Sequence, residues 1–355
     1  MSKTKIQSLA ISLSEAEPAV IKCMEAGLVP ILSSQPGVGK SALIKQIADK
    51  FELELIDVRL AQCEPADLLG LPKIGEKKAT YLPMSIFPIK GDTPPKSKKG
   101  WLLFLDEIRN ADTQVQHAAY KIVLDRMIGE FPLHENCFVV CAGNREEDAS
   151  FVTPMPSALK SRLIHLNIRL DSKAWFDYAY KAQIDPRIIT YLQYKPSMLA
   201  NSYTDSAEES YACPRTWEFA SKLIKDVNLT KVDMTTHVLL SGAVGNAAAS
   251  DFIAYTRYFS KLPKYEDIVS GKAKPVDNND SGLIWATISM LAEKAQEADL
   301  ATVFKYLRPT PVDFRFSLFT MLHENKYPNF FMKDKDVAAE ISEIADIFLK
   351  HVESR

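Results

Sequence analysis

The order of apolar and polar positions divides the chain into two regimes. As far as about Ile168, short unbroken apolar runs alternate with stretches of helical period; beyond it the periodicity is helical. The run Gly27–Leu32 (GLVPIL) has the length and continuity of a parallel strand buried on both faces. Gly100–Asp106 (GWLLFLD) and Cys137–Asn144 (CFVVCAGN) repeat that pattern. Between the first two, Ile44, Ile47, Ala48 and Phe51 recur at i, i+3, i+4 and i+7, which predicts an amphipathic helix. Residues 14–26 predict an earlier helix, with Ser14 and Glu17 in capping-box spacing and Pro18 in its first turn. Strands alternating with helices predict an α/β fold built on a doubly wound parallel sheet, with a ligand at the carboxyl ends of the strands.

From DSKAWFDYAYKAQ (171–183) onward the pattern predicts helices, interrupted by a polar loop at Tyr194–Ala212. Residues 235–260 open a helical C-terminal region, and Ser270–Gly282 (SGKAKPVDNNDSG) reads as an exposed loop within it. The aromatic-rich segment Val312–Phe331 reads as helix core.

Composition narrows the class without choosing a partner. The chain has 355 residues, enough for two or three domains, with 25% charged and 46% hydrophobic residues. A net charge of −2 creates no global field toward nucleic acid or membrane. No apolar run approaches the roughly 20 residues that span a bilayer. The five cysteines are scattered and mostly set in apolar runs, which predicts core thiols and a reducing cytoplasm.

The chemistry concentrates after the first strand. Ser33–Phe51 (SSQPGVGKSALIKQIADKF) nearly matches the phosphate-cradling pattern G-x-x-x-x-G-K-[ST], with Ser34 where the first glycine belongs. Strand, glycine-rich turn and helix are the context in which backbone N–H groups converge on phosphate oxygens. The nucleotide-binding set is Gln35, Pro36, Gly37, Val38, Gly39, Lys40, Ser41 and Ala42. Lys40 would reach the β- and γ-phosphates, and the Ser41 hydroxyl would ligate Mg²⁺. Ser34, small and tolerant of turns, reads as a permitted departure. The second strand ends in Asp106 and Glu107, one carboxylate for the metal and one for the attacking water; the third ends in Asn144, whose amide would bridge the γ-phosphate and that water. ATP and Mg²⁺ are the cofactors this arrangement expects.

With these motifs in place, residues 10–230 resemble the AAA+ ATPases, and among them the MoxR branch. Pro36, Gly37, Gly39, Lys40 and Ser41 match the family's G-x-P-G-x-G-K-[ST], and Glu64–Pro72 (EPADLLGLP) is similar to the segment leading into its helix 2 insert. Leu103–Ile128 resembles D-E-I-N-R-A and the helix that follows it, and FVVCAGN resembles the sensor 1 strand. MPSALKSRLIHL (155–166) is similar to the stretch holding the family's arginine finger, which implies Arg162; YACPRTWEFASKLI (211–224) resembles the sensor 2 helix, which implies Arg215. One departure is clear: the family has Asn then Arg after D-E-I, whereas this chain has Arg109 then Asn110, so neither residue takes a role from the resemblance.

The resemblance implies a P-loop NTPase core over residues 1–170 with an insert at about 64–99, a helical lid over 171–230, and a helical C-terminal region over 231–355. It also implies a homo-oligomeric ring, read as hexameric, that spends ATP on remodelling a protein client, and a partner carrying a von Willebrand factor A-type domain. The alternative is a nucleic-acid-dependent motor such as a helicase or helicase loader, against which stand the slight acidity and the lack of a recognisable nucleic-acid module. Seven lysines between Lys73 and Lys99, opposed by Glu76 and Asp92, read either as a solvated hairpin or as a basic collar inside a ring. Glu146, Glu147 and Asp148 read as a solvated loop, since no His or Cys ligand set accompanies them.

Overall fold

The computed structural model describes residues 9–145, 154–200, 210–229, 231–332, 335–342 and 344. The carboxylates at 146–148 therefore lie outside the described residues. The chain divides into two compact units, Met1–Asp171 and Ser172–Arg355.

In chain order the first unit contains β1 (Ala10–Ile11), α1 (Leu13–Glu25), β2 (Val29–Ser34), α2 (Lys40–Lys50), β3 (Leu53–Arg59), α3 (Pro65–Leu69), β4 (Leu71–Ile74) and β5 (Ala79–Leu82). There follow β6 (Gly100–Asp106), α4 (Thr113–Asp125), β7 (Met127–Ile128), β8 (Phe131–Pro132), β9 (Cys137–Asn144), α5 (Ser157–Lys160) and β10 (Leu163–Ile168). Six of the strands form one sheet in the order β1-β10-β2-β9-β6-β3, every pair parallel. The strands are apolar on both faces because both faces are covered. Leu102, Phe104, Val140 and Ala142 pack with Val20, Ile44 and Ile47 of α1 and α2. The alternate residues Leu103, Leu105, Val139 and Cys141 pack with Leu68, Val115, Ala119, Ile122 and Leu159 of α3, α4 and α5. This is the doubly wound arrangement expected from the sequence.

The start of α1 differs from the expected one. Ser12 is the N-cap: its hydroxyl accepts from the Glu15 N–H at 3.2 Å, and the Glu15 carboxylate accepts from the Ser12 N–H at 2.7 Å. The capping box thus sits two residues before Ser14 and Glu17, and Pro18 lies inside the helix rather than in its first turn. The physical reason is tertiary: β1 pairs with β10 as far as Ile11, so the chain can turn into helix at once.

The second unit is helical: α6 (Ser172–Lys181), α7 (Pro186–Tyr194), α8 (Pro214–Leu223), α9 (Met234–Val244), α10 (Asn246–Thr256), α11 (Tyr265–Val269), α12 (Ser281–Lys294), α13 (Leu300–Tyr306) and α14 (Val312–Asn325). α12 is its central helix, buried along almost its whole length and packed against α7 and α14. A helix apolar all round is stable only in such a setting. Trp217 of α8 is fully buried against Tyr191 and Phe252, and its indole N–H donates to the Met198 carbonyl at 2.8 Å. Residues 270–280 form no regular element and are mostly exposed, with Val276 turned inward, whereas Ser281 and Gly282, expected in that loop, already open α12. In α14, Leu318, Met321 and Leu322 supply the core, while Phe319 stacks on His323.

Candidate active site

Ser34, Asn144 and Asp106 terminate β2, β9 and β6, which are adjacent in the sheet. The register pairs Ser34 with Asn144 and Leu105 with Cys141, so all three ends share the carboxyl edge. From there the chain leaves β2 for α2 on one face, and after β9 reaches α5 on the other. Opposed departures from neighbouring strands open a crevice between them.

The turn from β2 into α2 is shaped by two glycines in the left-handed region, Gly37 at φ +75° and Gly39 at φ +112°. A Cβ at Gly39 would stand 3.1 Å from Leu13 Cδ1. No side chain caps the first N–H groups of α2, which leaves a partly positive helix end at the crevice. Lys40 Nζ donates to Ser34 Oγ at 2.8 Å and to the Gln35 carbonyl at 3.4 Å. Ser41 and Ala42 are exposed in the first turn of α2, and Val38 is buried beneath the loop.

The Asp106 carboxylate is half-buried and accepts from the Glu107 N–H at 2.8 Å. Glu107 has φ +56°, a left-handed conformation that costs about 1–3 kcal/mol in a residue with a Cβ. The turn that holds it is fastened by the Asn110 N–H on the Glu107 carbonyl at 2.9 Å and the Ile108 N–H on the Ala142 carbonyl at 3.1 Å. On the neighbouring strand β3, the Asp57 carboxyl is pushed above its usual range by burial and by the charge of Asp106, with Arg59 opposing. The Asn144 amide donates to Asn110 Oδ1 at 3.5 Å.

Asn110, to which the resemblance assigns no role, is thus a neighbour of Asn144, and its place in the turn after Asp106 was the available signal. Arg109 is buried, with its aliphatic stem against Gly143: a Cβ there would lie 3.2 Å from Arg109 Cγ.

Of the two remaining expected residues, one lies at the opposite edge of the sheet and the other belongs to the second unit. Leu163 pairs with Val29, so Arg162 sits at the amino edge of the sheet. Five strand steps separate that edge from Ser34, about 17 Å at roughly 3.3 Å each. The Arg162 side chain is exposed; it donates to the Ala158 carbonyl at 2.9 Å and lies 5.5 Å from the centroid of the Tyr120 ring. Arg215 is exposed in the first turn of α8, in the second unit. That unit also holds a cavity of about 660 Å³, lined by Arg187, Asn228, Phe259 and Ser289 among others, which contains none of the expected site residues.

The lysine-rich segment is two structures. Lys73, Lys77 and Lys78 belong to the β4–β5 hairpin, exposed on both faces, where Pro72 pairs with Tyr81 and Ile74 with Ala79. Lys98 and Lys99 lie at the amino edge: Lys98 Nζ donates to the Leu53 carbonyl at 3.1 Å, and Lys99 pairs with Glu52 at 2.6 Å. Lys98 and Lys99 thus tie the start of β6 to the start of β3, while Lys73, Lys77 and Lys78 stand on the hairpin. The cysteines are free thiols, four of them buried, and burial pushes Cys137 and Cys141 up to about 12. Among the described residues no cluster of three or more His, Cys, Asp or Glu could hold a metal, and no helix is long and apolar enough to cross a membrane.

A parallel sheet whose strand β2 runs through a glycine-rich turn into a helix, beside strand ends bearing Asp106 and Asn144, is the core of a P-loop nucleoside triphosphatase. More narrowly, residues 30–169 match the profile described as "ATPase family associated with various cellular activities (AAA)", so the first unit carries an AAA ATPase domain.

No curated protein sequence matches the chain. Among solved structures it is similar to a candidate ATPase from Cytophaga hutchinsonii, with 13% identity, TM-score 0.37, and coverage of 89% of this chain and 82% of that one. It is also similar to the Thermotoga maritima RuvB Holliday junction branch migration motor, with 16% identity, TM-score 0.37, and coverage of 82% and 88%. NtrX from Brucella abortus shares 11% identity at TM-score 0.40, with coverage of 89% and 69%. Likenesses at this level carry no statement about substrate, partner or assembly.

Proposed function

We propose that the chain is an ATP-hydrolysing AAA+ motor of the MoxR type, working as an oligomeric ring that remodels a protein client. The observation that carries this reading is the shared edge of β2, β9 and β6, which gathers the phosphate loop, Asn144 and the Asp106–Glu107 pair. The residues fit a magnesium nucleotide, because the positive-φ glycines and the uncapped N-terminus of α2 form a cradle that side chains leave open. Magnesium-bound ATP supplies the phosphoanhydride and the metal charge when it is bound; Ser41 and Asp106 would hold the metal. Lys40 offers a charge-assisted donor to the phosphates. Glu107 takes the proton of the attacking water, and Asn144, held by Asn110, orients that water.

The place of Arg162 supports assembly. At the amino edge it stands far from its own loop, so a finger role requires the loop of a neighbouring copy. A hexameric ring is the assembly we favour, with Arg215 reporting nucleotide state within its own chain. Client contact falls to the β4–β5 hairpin, whose exposed face of Pro72, Ile74, Ala79 and Tyr81 is apolar and whose lysines favour an acidic segment. A client or adaptor with a von Willebrand factor A-type domain remains part of this proposal, as does action in the cytoplasm.

The test separates binding from chemistry. Lys40→Ala should lose ATP binding, whereas Glu107→Gln should bind ATP and hydrolyse it at least a hundredfold more slowly, on the order of general-base loss. Equal loss of binding in both variants would sink this division of roles. Strong, salt-sensitive stimulation of turnover by DNA or RNA would move the function to a nucleic-acid motor.

A further inference from the structure

Ser34 stands where the phosphate-loop pattern begins with glycine, and the structure gives the substitution a task. Along β2 the side chains alternate, and Leu32 packs on the α1–α2 face. Ser34 shares its parity and therefore turns toward α2. It is fully buried, 0% exposed, so its hydroxyl needs partners within the protein. Both capacities of the hydroxyl are used. Its O–H donates to the Gln35 carbonyl at 2.7 Å, and its oxygen accepts from Lys40 Nζ at 2.8 Å. With its one proton committed to Gln35, the oxygen can meet the ammonium only as an acceptor.

We infer that the Ser34 hydroxyl is a positioning group for the Lys40 ammonium, holding by a side chain what a glycine at this place leaves to the backbone. The inference rests on the reading that this loop takes the phosphates of ATP. A lysine side chain has several rotatable bonds, and freezing them opposes binding. Fastened to Ser34 and Gln35, Lys40 has lost that freedom before a nucleotide arrives, so the loop is partly preorganised. With glycine at 34 the ammonium loses the 2.8 Å contact and keeps the longer one, 3.4 Å, to the Gln35 carbonyl. Ser34 acts through Lys40 and needs no contact with the nucleotide.

The experiment uses Ser34→Gly, which the loop pattern itself tolerates, and Ser34→Ala, which keeps a Cβ and removes only the hydroxyl. Two readouts are taken on the full chain. The first is the ¹⁵N signal of the Lys40 ammonium in nucleotide-free protein, assigned by its disappearance in Lys40→Arg. Hydrogen bonds to two acceptors slow its exchange with water, so the signal should be present in the unsubstituted chain and broadened in both variants. The second is ATP affinity by titration of a fluorescent ATP analogue, which should weaken about fivefold to tenfold, the scale of one charge-assisted hydrogen bond in part replaced. Unfolding temperatures should fall by no more than about 2–4 °C, the scale of one lost hydrogen bond in a unit of this size, which separates positioning from loss of structure. An ammonium signal unchanged by both substitutions, or ATP affinity equal to that of the unsubstituted chain, would overturn the inference. Absence of ATP binding by the unsubstituted chain would instead refute the nucleotide reading, and the ammonium signal would still score the contact with Ser34.

Discussion

Replacing Gly39 by alanine adds one methyl group at the hinge of the phosphate loop, and the structure sets out two costs. The first is backbone conformation. At φ +112° the residue lies where a Cβ is strained, which costs about 1–3 kcal/mol. The second is contact with Leu13 Cδ1 at 3.1 Å, which is smaller because the neighbour is the free end of a flexible side chain. Taking about 2 kcal/mol in total, and about 2–4 °C per kcal/mol for a unit of this size, the unfolding temperature should fall by about 4–8 °C. ATP affinity should fall by at least about tenfold, because a backbone relaxing toward negative φ turns its N–H groups away from the phosphates. Calorimetry and titration with a fluorescent ATP analogue measure the two effects separately. Leu13→Ala relieves only the contact, so the double variant should lose less than the sum of the two single variants, the shortfall measuring the contact's share. A Gly39→Ala protein with unchanged stability and unchanged ATP affinity would refute the claim that the loop depends on this φ.

Three further outcomes are expected. Arg162→Ala should bind ATP but turn it over about 10³–10⁵-fold more slowly; mixing it with Lys40→Ala protein should restore part of the activity, and no recovery despite subunit exchange would count against action in trans. Ser12→Ala should destabilise the chain by about 1 kcal/mol through loss of the α1 cap, measured by urea unfolding. Glu15 is held below its usual value by hydrogen bonding to the Ser12 backbone and hydroxyl, against burial and with help from Arg169. Its contribution is present above about 4.5, the unfolded value, and is lost as pH falls through the lower folded value, so Ser12→Ala should show a shallower acid dependence. In the native chain a thiol reagent should reach Cys63 first and leave Cys137 and Cys141 unreacted until unfolding; rapid reaction of all five would contradict their burial.

The sequence carried the sheet clearly where both faces are buried, because continuous apolar runs such as LLFL and FVVC have few other uses in a chain of this length. It carried β2 less fully: Ser33 and Ser34 are polar, yet they extend the strand because β9 and β10 pair with them. The N-terminus of α1 was ambiguous for a local reason. Ser12 with Glu15 and Ser14 with Glu17 are both capping-box spacings, and only the pairing of β1 with β10, invisible in local pattern, selects the first. Two-residue strands such as β7 and β8 leave no periodicity to read. The placement of Lys40 at the start of α2, and of Asp106 and Asn144 at adjacent strand ends, was legible through spacing and apolar runs. The contact between Ser34 and Lys40 was not, since it depends on a side-chain direction fixed by burial.

The helix α4 starts just beyond the turn that holds Glu107 and ends at Arg126, a left-handed C-cap whose guanidinium is fastened to the His134 and Cys137 carbonyls. Three residues on, Gly129 lies so close to the base of the hairpin that an added Cβ would stand 2.6 Å from the Leu69 carbonyl and 3.4 Å from Tyr81 Cβ. Under the proposed function, the helix would join the acid pair at one end to the client-facing hairpin at the other. Its 13 residues span about 20 Å at 1.5 Å per residue, so a tilt of roughly 5° at the Glu107 turn displaces the far end by about 1.7 Å. Packing at Gly129 leaves no slack to absorb such a step. A crowded glycine, which on a sequence reads as ordinary turn chemistry, here packs the hairpin against the far end of the helix that starts beside the acid pair.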